Sequence, residues 1–352
     1  NEIIKEEESI SNEEAGIATM AEEGEEEDAG IATITEGETP TTVFDLQTSV
    51  NQYVWIPVKD VSRIYGVDSN GKLWGKLYNY SSTGRTNNNW SENSTSGVMS
   101  ITDKTGSYSY REPDVTHDRT SYDVDEILQS YRDGIEQYQM LSQEMEENFY
   151  KMIESVKKYG GFYIGRYETG DLNQEEAVVQ KMNNNLGSVN WYVMYEKCKN
   201  LAGEKENIET SMIWGSLWDE TLQWLIETEA EITTGEKMTY DLIAKNSTNW
   251  GNYTSATFEY INVSGVTTTK NINLSAKIPT GSTEYTKANN IYDMAGNVYD
   301  WTLEAYYTIY RVLRGGNYGN TVGYYQASSR YRYGYPSDVS SYYGCRAALY
   351  IK

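Results

Sequence analysis

The chain has 352 residues, with 52 acidic against 29 basic side chains, so its formal net charge at pH 7 is -23. That balance argues against a nucleic-acid partner, because binding to phosphates depends on clustered basic residues. The sequence contains no run of about 20 apolar residues, so no membrane span is predicted. The 33 Tyr and 9 Trp indicate a folded, aromatic-rich chain that is long enough for one large or two ordinary domains.

Residues 1–43 are predicted to form a disordered acidic tail or stalk, and residues 44–352 a folded domain. The tail holds the runs KEEESISNEE and EEGEEED and almost no large apolar residues, so it cannot bury enough surface to offset its ordering entropy. The motif GIAT occurs twice, from Gly16 and from Gly30. Two copies of so short a unit do not predict a solenoid.

The segment Asp123 to Tyr159 is predicted to be the longest helix. Its apolar residues recur at spacings of three and four, which places one apolar stripe along the helix. Gly160 and Gly161 are expected to end it. The stripe consists of Ile127, Tyr131, Ile135, Tyr138, Leu141, Met145, Phe149, Met152 and Val156.

Residues 306–343 are unusually rich in tyrosine, set among Gly, Asn, Ser, Asp and Val. A core strand would alternate large apolar with polar residues, whereas Tyr with Ser, Gly and Asn is typical of antibody-type binding loops. The composition therefore favours a binding surface. An ordinary tyrosine-rich, partly buried loop surface is the alternative.

The cysteine and histidine counts limit the available chemistry. Cys198 and Cys345 are the only two cysteines, which excludes a disulfide-stapled scaffold. Each lies in an apolar setting, so buried free thiols are expected rather than one long-range bridge. His117 is the only histidine, which excludes histidine triads and histidine-based zinc sites.

The C-terminal tract carries three ordered motifs: NNIYDMAGNVYDW from Asn290, RVLRGGN from Arg311, and Gly344-Cys345-Arg346. They resemble the closing motifs of the formylglycine-generating-enzyme (sulfatase-modifying factor) family. The resemblance implies an α+β domain of the C-type lectin fold, formylglycine-generating-enzyme subtype. Val54 to Val58 resembles the family's opening strand and Gly160 to Gly170 its second strand, which leaves about 65–158 as an insertion with the long helix.

The tyrosine-rich segment, in this setting, also resembles the variable proteins of diversity-generating retroelements. In that family, Asn codons of a template are copied with errors at adenines, so they become codons for Tyr, Ser, Asp, Gly, Val, Ile, Leu or Thr. The resemblance implies a variable, ligand-binding region at about 306–343. Its predicted positions are Ile309, Tyr310, Leu313, Asn317, Tyr318, Asn320, Val322, Tyr324, Tyr325, Ser329, Tyr331, Tyr333, Tyr335, Ser337, Val339, Ser340 and Tyr342.

No enzymatic activity is expected. Enzymes of the resembling family oxidise a substrate cysteine with two copper-binding cysteines, and the matching positions here are near Val322 and Ala327. A divergent sulfatase-modifying oxidoreductase is one alternative function, and a non-diversified carbohydrate-binding adhesin is another. Asp300 and Glu304 could form a glycosidase pair by spacing, but a solvated or metal-linked face is favoured.

The resemblance also implies a calcium site at Asn297, the Val298 carbonyl and Asp300, because oxygen ligands suit this cation. No cofactor is required for the predicted function. The implied protein is a monomeric display protein for an unknown protein or glycan ligand. Its expected location is the bacterial cell surface, the extracellular space or a phage virion.

Overall fold

The computed structural model describes residues 17–20, 50–87, 99–103, 106–113, 134–172, 176–306, 310–321 and 325–352. Helices and mainly antiparallel strands are mixed along the chain, which confirms the predicted α+β class. Within those ranges, no helix has the length and apolar character needed to span a membrane.

Four α-helices and 21 strands are described. The helices are α1 (Gly134–Tyr159), α2 (Trp191–Lys199), α3 (Gly215–Glu227) and α4 (Tyr240–Ala244). Short 3-10 turns lie at Val61–Arg63, Asn200–Ala202, Ser247–Asn249 and Glu284–Thr286. The strands are β1 (Ile17–Met20), β2 (Asn51–Pro57), β3 (Tyr65–Val67), β4 (Leu73–Gly75), β5 (Asn79–Ser81), β6 (Gly84–Thr86), β7 (Met99–Asp103), β8 (Gly106–Arg111), β9 (Gly161–Gly165), β10 (Gly170–Leu172), β11 (Glu176–Val178), β12 (Ile208–Met212), β13 (Phe258–Ile261), β14 (Thr267–Lys270), β15 (Lys287–Ala288), β16 (Ile291–Tyr292), β17 (Tyr299–Tyr306), β18 (Tyr310–Arg314), β19 (Arg330–Gly334), β20 (Tyr343–Cys345) and β21 (Ala347–Ile351).

A five-stranded sheet in the order β1-β2-β9-β21-β12 joins the beginning of the folded chain to its end. The predicted opening strand is β2, and it pairs antiparallel with β9, the predicted second strand. Helix α1 packs against this sheet, and the Ser155 hydroxyl donates a hydrogen bond to the Ile351 carbonyl at 2.7 Å. The C-terminal strand β21 is therefore held by residues far away in sequence.

The predicted tail contributes one strand to the same sheet. In β1, Ile17 lies opposite Val54 of β2, so the first GIAT copy covers the sheet edge. This differs from the prediction of disorder for the whole tail, because an edge strand offers unpaired backbone groups that even a short β-compatible segment can satisfy. The rest of residues 1–43 lies outside the described residues, and its disorder stays a prediction.

Helix α1 is described from Gly134 onward, and its predicted start at Asp123 lies outside the described residues. Its predicted stripe is confirmed from Met145 onward, where Met145, Phe149, Met152 and Val156 are all buried. The Phe149 ring packs against Trp214 with 5.0 Å between ring centroids. The helix thus packs on the domain, as its mixed Met and aromatic stripe indicates.

A six-stranded sheet carries the tyrosine-rich segment. Its order is β19-β18-β17-β8-β7, and β20 pairs parallel to β17. Strand β17 is buried along its whole length, whereas β19 lies at the sheet edge. Strands β7 and β8 come from the predicted insertion, so part of residues 65–158 completes the sheet on which the candidate binding residues lie.

Two buried tryptophans fix the tyrosine-rich segment to the core. The Trp218 indole on α3 donates to the Ala327 carbonyl at 3.0 Å, and the Trp191 indole on α2 donates to the Thr302 carbonyl at 3.0 Å. A buried indole N–H needs such a partner. Both helices therefore position β17 and the loop before β19 as well as filling the core.

Candidate binding surface

Four buried charged side chains lie beneath the tyrosine-rich segment, and the least buried of them, that of Arg330, is 4% exposed. We call Asp219, Glu304, Arg314 and Arg330 the charge cluster. Arg314 lies 2.6 Å from Asp219 and 3.4 Å from Glu304, and Arg330 lies 2.5 Å from Asp219 and 2.7 Å from Glu304. Two cations thus balance two carboxylates. Burial alone would raise the pKa of Asp219, but the two guanidinium groups lower it below its usual value.

The charge cluster links four separate parts of the chain. Asp219 is on α3, Glu304 on β17, Arg314 on β18 and Arg330 on β19. Arg330 also donates to the Tyr78 carbonyl at 2.6 Å, which brings in the predicted insertion. Buried charges persist only when they are paired in good geometry. The cluster therefore holds the ends of β18 and β19 in one arrangement.

The turn that follows β18 depends on two glycines. Gly315 and Gly316 have φ values of 84° and 79°, a region that side chains with a Cβ rarely adopt. A Cβ on Gly316 would also lie 2.2 Å from the Tyr325 carbonyl oxygen. The RVLRGG motif is therefore explained by packing and backbone conformation.

Seven of the predicted variable tyrosines are described, and we call them the tyrosine face: Tyr310, Tyr318, Tyr325, Tyr331, Tyr333, Tyr335 and Tyr342. Tyr333 and Tyr342 are the most open, at 51% and 41% exposure, while the other five are half-buried. Their rings contact one another rather than standing alone. Tyr310 lies 4.7 Å from Tyr335 and 6.0 Å from Tyr333, and Tyr318 stacks on Tyr342 at 4.9 Å.

The tyrosine face lies on strands as well as on loops. Tyr310 is on β18 and Tyr331 and Tyr333 are on β19, whereas the other four lie in the connecting segments. Tyr325 and Tyr331 also pack against the main hydrophobic core. Those two rings therefore contribute to folding as well as to the surface.

Among the other predicted variable residues, Val339 is 58% exposed, and Asn320, Ser329, Ser337 and Ser340 are half-buried. Ile309, Val322 and Tyr324 lie outside the described residues.

Two predicted variable positions are corrected by the structure, because Leu313 and Asn317 are buried. Leu313 on β18 packs beneath Gly334, where an added Cβ would lie 2.8 Å from the leucine side chain. The Asn317 side chain accepts a hydrogen bond from the Gly319 N–H at 2.7 Å and so builds the turn. A codon that can mutate is not sufficient evidence of exposure, because alternate residues of a strand face inward.

The sequence analysis missed a neighbouring apolar segment formed by Ile272 and Leu274, which are 59% and 46% exposed. The Asn273 N–H between them donates to the Thr254 carbonyl at 2.6 Å, and the Thr254 N–H donates to the Asn320 carbonyl at 3.0 Å. These bonds place the segment beside the loop that carries Tyr318. Two aliphatic residues in a polar run give no periodic signal, so their position depends on tertiary contacts.

Two of the predicted calcium ligands, the side chains of Asn297 and Asp300, contact other groups of the protein. The side-chain oxygen of Asn297 accepts hydrogen bonds from the side-chain amide of Asn252 at 3.0 Å and from the Ile278 N–H at 3.1 Å. One Asp300 oxygen faces the Arg346 guanidinium at 3.4 Å. Among the described residues, no group of three or more acidic, His or Cys side chains is arranged to hold a metal ion. These contacts hold Asn297 and one Asp300 oxygen in place, and the calcium site stays a prediction.

The proposed glycosidase pair is also separated by its contacts, since Asp300 faces Arg346 whereas Glu304 belongs to the charge cluster. Arg346 further donates to the carbonyls of Gly165 at 2.9 Å and Tyr292 at 2.7 Å. Both carboxylates are buried. Their partners give them structural roles in holding the C-terminal segment and the sheet.

Residues 221–351 match the family model of the sulfatase-modifying factor enzyme 1-like domain. This part of the chain is similar to domains of that family. The match covers just over a third of the chain and includes the charge cluster except Asp219, both glycines and the tyrosine face.

Treponema denticola variable protein 1 is a solved structure with 17% sequence identity and a TM-score of 0.31, covering 54% of this chain and 84% of that protein. A TM-score that low does not support an assignment of fold or function. No curated protein matches the chain.

Proposed function

We propose that this protein displays a ligand-binding surface, centred on the tyrosine face, that retroelement mutagenesis diversifies. The proposed architecture is a C-type lectin fold of the formylglycine-generating-enzyme subtype. The observation that carries the proposal is the separation of two residue classes. The motif residues Arg314, Gly316 and Arg330 are buried or tightly packed, whereas Tyr333, Val339 and Tyr342 project into solvent.

The chemistry of the surface favours a protein ligand over a glycan. Tyrosine rings can stack on sugars, but the neighbouring aliphatic residues Val339, Ile272 and Leu274 match the apolar core of a protein–protein interface. From Asn262 to Ala276 the only charged residue is Lys270, which is buried and donates to the carbonyls of Tyr253 and Ala256. Depletion of charge at the centre is also typical of protein interfaces.

We propose that binding is non-enzymatic and needs no cofactor. Cys198 and Cys345 are buried in the core, and Ala327 lies near one position where the resembling enzymes have a copper ligand. Burial raises the pKa of Cys345, which disfavours the reactive thiolate. We also propose that the protein is a monomer and that it is located at a bacterial surface, in the extracellular space or on a phage virion.

Sequencing of the gene's 3′ end across a population of the source cells or phage tests the diversification directly. We expect substitutions concentrated in the codons for Tyr333, Val339 and Tyr342, with Arg330 and Gly316 unchanged. A neighbouring reverse-transcriptase gene and a near-copy of the 3′ end that differs at adenines should accompany them. Substitutions spread evenly over the gene, with no such near-copy, would contradict the proposal.

The competing enzymatic function has its own assay. Purified protein supplied with copper is incubated with a cysteine-containing sulfatase peptide, and the product is measured by mass spectrometry. We expect no conversion to formylglycine, because Ala327 offers no thiol at a required position. Catalytic conversion would favour the sulfatase-modifying alternative.

A further inference from the structure

The only two cysteines of the chain meet in the core, although 146 residues lie between them in sequence. Their sulfur atoms are 3.5 Å apart, which is van der Waals contact. Cys198 lies on α2 and Cys345 ends β20, and both are fully buried. The two sulfurs are therefore adjacent without any change in the positions of the elements that carry them.

The surroundings keep the two sulfurs together. The Thr169 N–H donates to the Cys345 carbonyl at 2.8 Å, and the Thr169 hydroxyl lies 3.8 Å from the Cys198 sulfur. Residue 345 is also opposite Trp301 in the parallel pairing of β20 with β17. A covalent S–S bond is near 2.05 Å, so closure requires a movement of about 1.5 Å. Rotation of the two side chains can supply much of that movement.

We propose that Cys198 and Cys345 form an intrachain disulfide bond when the chain folds in the presence of a disulfide oxidant. One cysteine thiolate attacks a low-molecular-weight disulfide such as oxidised glutathione, which forms a mixed disulfide and releases one glutathione thiolate. The second cysteine thiolate then attacks the protein sulfur of the mixed disulfide and releases the second glutathione. The two cysteines lose two protons and two electrons, and the oxidant is reduced to two thiols.

The bond forms during folding rather than as a switch in the folded protein. Both sulfurs are closed off from solvent in the native structure, and burial raises the pKa of Cys345. A buried thiol is a poor nucleophile and is inaccessible to an oxidant. Once formed, the bond joins α2 to the C-terminal segment that carries Arg346. It also closes a long loop and so constrains the unfolded chain. This inference is independent of the ligand-binding proposal.

Refolding of the full chain from urea tests the pairing. One sample refolds with a mixture of reduced and oxidised glutathione, and a matched sample refolds with dithiothreitol. Each is then denatured, alkylated with iodoacetamide and digested without reduction. After oxidative refolding we expect no alkylated cysteine and a cross-linked peptide that contains Cys198 and Cys345. The reduced sample should carry two alkyl groups.

Export of the same chain to the bacterial periplasm provides a second preparation that does not depend on refolding in vitro. The linked peptide should be found there too, on a protein that stays monomeric in a non-reducing gel. The oxidised protein should also melt at least about 5 °C above the reduced protein, because a long closed loop constrains the unfolded state. The variants Cys198→Ala and Cys345→Ala should show no such difference between the two conditions.

Three results would overturn the proposal. The first is two alkylatable thiols in both oxidative preparations, and the second is an intermolecular bridge between chains. The third is an intrachain bond that lowers the melting temperature, which would show that the bond is strained and not native.

Discussion

The charge cluster and the tyrosine face share strands β18 and β19, yet their side chains have very different contacts. In the cluster each guanidinium contacts two carboxylates, so the loss of one group leaves others without a partner. On the face, Tyr333 is 51% exposed and contacts its neighbours through ring edges and faces. A surface residue can be substituted freely only where its contacts contribute little to folding. The change from residues that cannot vary to residues that can therefore occurs within a single strand, since Arg330 and Tyr333 both lie on β19.

Arg330→Met should produce the largest effect. It leaves the buried carboxylates of Asp219 and Glu304 with one guanidinium between them, and loss of one partner from a buried ion pair costs roughly 3–5 kcal/mol. Urea unfolding at pH 7, followed by tryptophan fluorescence, measures the change. The matched control is Arg332→Met on the same strand, where the guanidinium is half-buried and lies 5.1 Å from the Tyr333 ring centroid.

The control variant should lose less stability, about 1 kcal/mol, because Arg332 is half-buried, lies outside the charge cluster and contacts the exposed Tyr333 ring. Similar losses for the two variants would show that the outer layer is as tightly coupled as the cluster.

Leu313→Ala should follow, with a loss of roughly 2–5 kcal/mol from the cavity left in the core. Leu313 belongs to the predicted variable set by its codon, but it is fully buried on β18. Denaturant midpoints of Leu313→Ala and Tyr333→Ala compare a buried and an exposed member of that set. If Leu313→Ala unfolded no more easily than Tyr333→Ala, burial would not be what limits diversification.

The buried Glu112 should also make stability fall as the pH rises. Burial raises the pKa of Glu112 from 4.5 to about 8, although the N–H groups of Gly215 and Ser216 donate to its carboxylate. The folded state therefore favours the protonated form. The stability present below pH 4.5 is lost as the pH rises through about 8.

Urea midpoints between pH 5 and 9 measure this dependence, and Glu112→Gln should remove roughly 1–3 kcal/mol of it. Gln keeps the shape of the protonated acid but cannot ionise, so the variant should show a flatter profile. An unchanged profile in Glu112→Gln would assign the pH dependence to other acids, such as Asp300, whose pKa is raised to about 7 by burial.

The sequence predicted several helices and strands, but it did not predict which residues of the tyrosine-rich segment are buried and which belong to the exposed surface. The resemblance at Val54 to Val58 and at Gly160 to Gly170 predicted strands β2 and β9, and the apolar stripe predicted α1 from Met145 onward. Leu313 and Asn317 were misplaced because codon composition carries no information about which face of a strand is buried. The position of Ile272 and Leu274 beside the tyrosine face was not predicted, because hydrogen bonds through Thr254, and not a local sequence pattern, place them there.

Tyr333→Ser combined with Tyr342→Ser should produce the smallest change, with stability within about 0.5 kcal/mol of the parent. Both rings are among the most exposed apolar groups of the described residues. Tyr331→Ser is the informative comparison, because the Tyr331 ring lies 5.3 Å from the Tyr299 ring and packs against the core. It should cost roughly 1–3 kcal/mol despite lying two residues from Tyr333 on the same strand. Chemical denaturation of the three proteins at equal m-value measures the difference. If the double variant lost as much stability as Tyr331→Ser, the rings of Tyr333 and Tyr342 would be part of the folding core. Diversification at those two positions would then destabilise the fold, which contradicts the proposed function.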